Sequence, residues 1–200
     1  MLFRSWHYLD SGALYRIVAL CALRQTVPLD DGAGLAALAE EIEPVFLGET
    51  VLLEGEDVSH AIRAEQVGEA ASRVAVQPAL RTALVSLQRR FRRLPGLVAD
   101  GRDMGTVLFP DAALKVFLTA SPESRAQRRY KQLIEKGFSA RLSDLLRDLE
   151  ERDSRDSSRA VAPLVPAIGA LVLDSTDLSI EETIEAVLKA YRREIGRAHV

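Results

Sequence analysis

The stretch WHYLDSGALYR, residues 6–16, decides how this 200-residue chain is read. Three or four residues of strand character run into Asp10, Ser11 and Gly12, and Leu14, Ile17, Val18 and Cys21 then recur at helical spacing. Ser11 is expected to cap that helix, with Asp10 and Ser11 together at its positive end. Such a helix start suits an anion or a hydroxyl-rich ligand. A strand that turns through polar residues straight into a helix reads as an inner βα unit of a layered domain.

The same unit recurs further along. GLVADGRD (96–103), LKVFLTA (114–120) and ALVLDST (170–176) are short apolar runs of the kind buried parallel strands show, and each runs into polar residues. Asp30 or Asp31 is expected to cap a short helix to Glu41, and Pro78 to open one with Leu80, Leu84, Leu87 and Phe91 on one face. Ser121 and Pro122 begin an Arg-rich helix to about Lys136, Gly137 breaks it, and a second charged helix is expected from about Ser139 through Arg159. Ser179 and Glu182 form a capping box ahead of the last helix. PVFLGETVLLEGEDVS (44–59) interrupts the alternation with short strands broken by Gly48 and Gly55. The expectation is α/β, one domain over 6–194 with a mostly parallel sheet and a small β-rich insertion at 43–63.

Composition narrows the function. A formal charge of -3 argues against a wholesale nucleic-acid or membrane binder, so any anion site must be local. No apolar run approaches the roughly 20 residues of a membrane span, and no signal peptide is expected; the lone Cys21 makes a reducing cytoplasm the expected compartment. The single Cys21 excludes an internal disulfide and reads as core packing, and His7, His60 and His199 lack metal-ligand spacing. The ends are a separate matter. MLFRS and EIGRAHV can be encoded by stretches of DNA one of which is the reverse complement of part of the other, as in a sequencing adapter read from both sides of an insert. Residues 1–5 and 195–200 are therefore expected to be non-native.

Chemistry gathers in two places. In ADGRDMGTVLFP (99–110), Asp100, Arg102 and Asp103 follow directly on a buried strand, where an open α/β sheet binds its ligand. A turn with a local Arg–Asp pair would account for the same residues. In ERDSRDSSR (151–159), Arg152, Arg155, Asp156 and Arg159 share one helix face. A guanidinium row with one carboxylate suits phosphates plus a sugar hydroxyl, although a solvated, salt-bridged helix has the same pattern. Tyr15 and Arg16, one turn past DSG, and Ser72 and Arg81 complete the set. Together they describe phosphoryl transfer between nucleotides, where positioning and charge neutralisation supply most of the catalysis. The G-x-x-x-x-G-K-[ST] loop that holds a donor's phosphates does not occur in these 200 residues.

Taken in order, YLDSGALYR, EAASRVAVQPALR, PGLVADGRDMGTVLFPDAALKVFLTAS, ERDSRDSSRAVAPLV and LVLDST resemble the bacterial cytidylate (CMP) kinases over 6–193. The resemblance implies a P-loop nucleoside monophosphate kinase fold, a three-layer parallel sheet with a helical lid at 124–160, from which the first strand and P-loop ahead of Trp6 are missing. It implies transfer of the ATP γ-phosphoryl group to CMP or dCMP with Mg²⁺, by a cytoplasmic monomer that needs neither nucleic acid nor membrane.

Residue by residue, the resemblance makes Ser72, Arg81 and Asp103 cytosine readers and Arg16, Arg102 and Arg159 ligands of the acceptor phosphate. Ser11, Tyr15 and Asp156 hold the nucleoside, with Arg152 near the sugar, and Arg128 joins Arg152 in the lid over ATP. No metal ligand is assigned. As written, without its P-loop, the chain is expected to be inactive and poorly soluble. Two other readings compete: a non-catalytic CMP-binding protein, and an RNA-binding module using Arg125 to Arg159, which the mixed charges of that segment disfavour.

Overall fold

The computed structural model describes residues 6–48, 50–135, 137, 139–158 and 162–198. By its internal contacts the chain divides into two compact units, Met1–Arg102 and Asp103–Val200.

The first unit opens with β1 (His7–Asp10) and α1 (Ser11–Gln25). Asp10, rather than the expected Ser11, caps α1: its Oδ1 accepts from the Ala13 N–H at 3.0 Å. Asp10 keeps an extended backbone (φ -88°, ψ 93°), the cap geometry, while Ser11 is already helical and its hydroxyl is used elsewhere. Leu14, Ile17, Val18, Ala19 and Ala22 are completely buried, so α1 is a central helix covered on several sides. In α2 (Gly32–Glu41) Asp31 is the cap, accepting from the Gly34 N–H at 3.0 Å. The strands β2 (Val45–Leu47), β3 (Thr50–Leu53) and β4 (Glu56–Asp57) form an antiparallel sheet. Its turns need left-handed backbone at Gly48 (φ 64°) and Gly55 (φ 83°), which glycine adopts without a Cβ clash.

The helix α3 (Glu65–Val74) packs on α1, and α4 (Pro78–Arg89) packs on α2, with Pro78 in its first turn. α4 ends two residues before Phe91. The N–H groups of Phe91 and Arg92 turn back to the carbonyls of Gln88 and Arg89, so the chain tightens into i→i+3 bonds past the helix end. β5 (Leu97–Asp100) then pairs in parallel with β1, in register from His7 opposite Leu97 to Asp10 opposite Asp100. Cys21 is buried in this core, and loss of solvent pushes its thiol up, as the core-packing reading requires.

The second unit begins with a π-helical turn at Met104–Leu108 and continues through β6 (Val116–Thr119), α5 (Pro122–Glu135), α6 (Leu142–Ser158), β7 (Leu171–Asp174) and α7 (Ile180–Ala198). β6 and β7 are parallel, in register from Val116 opposite Leu171 to Thr119 opposite Asp174. Ser121 caps α5 through Oγ, which accepts from the Ser124 N–H at 3.1 Å, and Gly137 (φ 78°) follows its end. α6 starts at Leu142 instead of Ser139, its first turn closed by Leu145 N–H to Arg141 O. The capping box is present: Ser179 N–H donates to Glu182 Oε2 at 2.8 Å, and Glu182 N–H to Ser179 Oγ at 3.1 Å.

The alternation of strands and helices is α/β, as expected, but the single parallel sheet is not assembled among the described residues. They hold two separate two-stranded parallel sheets, β1–β5 and β6–β7. Within each unit, β5 has a ladder on one side only, and so has β6. Leu118 and Val172 are each 56% exposed, a large apolar exposure for strands of an α/β layer.

Candidate functional site

In the first unit the polar residues collect where β1 and β5 end. Ser11, only 3% exposed, donates from Oγ to Oε1 of Gln88 at 2.8 Å, and Gln88 is itself buried on α4. One helical turn on, the Tyr15 ring lies under Arg81, whose Cζ is 5.9 Å from the ring centroid. Arg81 is 7% exposed, and its Nη1 donates to Ala75 O at 3.1 Å. A buried guanidinium keeps its charge when a π face and a carbonyl replace lost water. Arg16 is held by Nη1 donating to Ile62 O at 2.9 Å. Ser72 sits on the buried face of α3, the helix packed on α1. Thus five of the expected residues, Ser11, Tyr15, Arg16, Ser72 and Arg81, lie on helices packed together in one unit.

Asp100, register partner of Asp10, closes the strand end. Loss of solvent, then the neighbouring Asp10, pushes its carboxyl up, against an opposing pull from Arg102. The same pair of carboxylates adds to burial in raising the Tyr8 phenol. The strand end therefore holds two neighbouring carboxylates, with Arg102 as a near cation.

In the second unit Asp103 is 6% exposed, and its carbonyl accepts from Val107 N–H at 2.9 Å, opening the π-helical turn. Asp156 is buried on α6, and its carbonyl accepts from Leu164 N–H at 2.9 Å. Arg152 is half-buried one turn earlier on the same helix. Part of the charged row is a salt-bridged face. Arg125 grips Asp153 with two prongs, joining α5 to α6, and Arg155 lies 3.8 Å from Glu151. Arg128 donates to Ser175 Oγ at 3.2 Å and to the Ser175 carbonyl, which ties α5 to the turn after β7. Arg159 lies outside the described residues.

Two residues went unread in the sequence. Gln88 gives no local signal, because its partner Ser11 is 77 positions away. Gly68 does: it is a glycine inside a helical pattern. A Cβ there would meet Arg16 Nη1 at 3.0 Å, so its lack of a side chain makes room for the arginine.

Known proteins carry the same pattern. The family model described as cytidylate kinase matches residues 3–193. A cytidylate kinase of Bordetella bronchiseptica is 60% identical over 187 residues, covering 94% of this chain and 84% of the relative. One from Bordetella pertussis is 61% identical over 183 residues, 92% of this chain and 82% of the relative, and one from Paraburkholderia phymatum is 58% identical over 187 residues, 94% and 82%. These relatives are nucleotide-binding phosphotransferases. This chain belongs to the cytidylate kinase family. No described helix is long and apolar enough to cross a membrane.

Proposed function

We propose that the chain is the acceptor-binding part of an enzyme that transfers the ATP γ-phosphoryl group to CMP or dCMP. The observation that carries this reading is Arg81, a buried cation held over Tyr15 in the first unit. A guanidinium fixed in that way can donate to the ring nitrogen and carbonyl of cytosine. With Asp103 accepting from the exocyclic amine and Ser72 as a second polar contact, uracil would confront a carboxylate with no donor, a loss of about 1 to 3 kcal/mol. Arg16, Arg102 and Arg159 take the acceptor phosphate, Ser11 and Tyr15 the nucleoside, and Asp156 and Arg152 the sugar.

On the donor side the fit is partial. Arg128, anchored to the turn after β7, would hold the edge of the ATP site. ATP supplies the phosphoryl group. Among the described residues there is no group of three or more His, Cys, Asp or Glu able to hold a metal ion. On this reading Mg²⁺ would be carried on the nucleotide phosphates, its usual mode in kinases. For the donor's phosphates this chain has no G-x-x-x-x-G-K-[ST] loop. On this reading the phosphates of the donor need a P-loop, and the 200 residues alone are inactive; separately, among the described residues β5 and β6 have one-sided ladders and Leu118 and Val172 are exposed, which leaves edges that a further strand could cover.

The test is equilibrium titration of the chain with CMP, dCMP and UMP. CMP and dCMP should bind at least tenfold more tightly than UMP, and Arg81→Ala should remove the preference. Equal affinity for CMP and UMP would overturn the base-reading assignment.

A further inference from the structure

At the opposite end of β1 from Ser11 lies a cavity of about 380 Å³ within the first unit. That volume is in the range of small-molecule sites. Ile42 and Leu87 give it an apolar floor. Phe91 forms a wall, its ring fixed edge-on against Phe46 with centroids 5.8 Å apart at 71°. The polar lining is mostly cationic: Arg90 and Arg93 with His7, against the single carboxylate of Glu43. Arg93 is aimed by its Nε, which donates to Arg90 O at 2.9 Å. Among the described residues neither Arg90 nor Arg93 has an ion-pair partner. Two guanidiniums with no ion-pair partner among the described residues, beside a flat aromatic wall, match a particular chemistry: forked donors for phosphate oxygens and an apolar face for a planar body.

We propose that this cavity is a second ligand site, taking an organic phosphate with an aromatic body. The phosphate sits on Arg90 and Arg93, the ring lies against Phe91 and Leu87, and Glu43 accepts from a donor on the ligand. Two of its lining residues are chain neighbours of elements that lead to the strand-end cluster. His7 is in β1, which runs directly into Ser11. Leu87 precedes Gln88 on α4, and Ser11 and Gln88 are hydrogen-bonded to each other.

The single tryptophan, Trp6, is next to His7 and close against Gly96, where a Cβ would lie 2.6 Å from its ring, so it reports on this end of the strand. The experiment is titration of the full chain with phenyl phosphate, and separately with inorganic phosphate, followed by Trp6 fluorescence. Phenyl phosphate should give a saturable change, weakened at least tenfold in the exposed double substitution Arg90→Ser/Arg93→Ser and retained in Arg81→Ala. Inorganic phosphate should bind at least tenfold more weakly. No saturable change, binding unaffected by the double substitution, or binding lost in Arg81→Ala would each overturn the proposal. Equal affinity for inorganic phosphate would overturn the aromatic part of it.

Discussion

Ser11 and Gln88, 77 positions apart in the chain, share a buried hydrogen bond of 2.8 Å that ties the first turn of α1 to the last turn of α4. Replacing Gln88 by Leu keeps most of the volume but leaves the Ser11 hydroxyl without that acceptor. An unsatisfied buried hydroxyl costs about 1 to 3 kcal/mol, so Gln88→Leu should lower the urea midpoint. The double substitution Ser11→Ala/Gln88→Leu should recover part of the loss. A double variant no more stable than Gln88→Leu alone would contradict the coupling.

Gly68→Ala separates stability from affinity. Alanine in a helix interior is favoured over glycine by about 1 kcal/mol, but its Cβ would press on Arg16 Nη1. The variant should melt no lower than the parent while binding CMP several-fold more weakly, as measured by thermal denaturation and calorimetry side by side. Unchanged CMP affinity would remove Arg16 from the acceptor phosphate.

Asp100 makes stability depend on pH. Its carboxyl is raised by lost solvent and by Asp10, so the folded state favours the protonated form. The stabilisation this brings is fully present below the ordinary aspartate value, about 4, and is lost as pH rises through the higher folded value. Asp100→Asn should therefore be more stable than the parent at neutral pH, with the difference closing as pH falls toward that ordinary value. A difference independent of pH would contradict the carboxylate pairing.

Arg125 and Asp153 clamp α5 to α6 while each keeps about a third of its side chain exposed (31% and 33%). Exposed pairs contribute about 0.2 to 1 kcal/mol, and this one has two-pronged geometry. Asp153→Asn should cost about 1 kcal/mol at low salt and less in high salt, read from urea unfolding at two ionic strengths.

What the sequence made legible was local. The Ser179–Glu182 box, the Ser121 and Asp31 caps, the glycine turns at Gly48 and Gly55 and the strands at 97, 116 and 171 all depend on neighbours within a few residues. The helix start at Asp10–Ser11 was misread by one position because both residues are good caps, and only the bond to Gln88 shows which side chain is engaged elsewhere. Strand pairing was legible only in part. Apolar runs identify strands but not their partners, and among the described residues β5 and β6 each have a neighbour on one edge only. The residues proposed for the site stand in motifs that the sequence displays, whereas Gln88 and the room made by Gly68 are visible only once the helices pack.

The most direct measurement places a relative's first strand, P-loop and first helix ahead of Trp6 and assays ATP-dependent phosphorylation of CMP, dCMP, UMP and AMP, with and without Arg81→Ala. Selective turnover of CMP and dCMP, weakened at least tenfold by Arg81→Ala, is the predicted result. A folded chimera that binds CMP without ever transferring phosphate would contradict the kinase account and favour a non-catalytic CMP-binding protein.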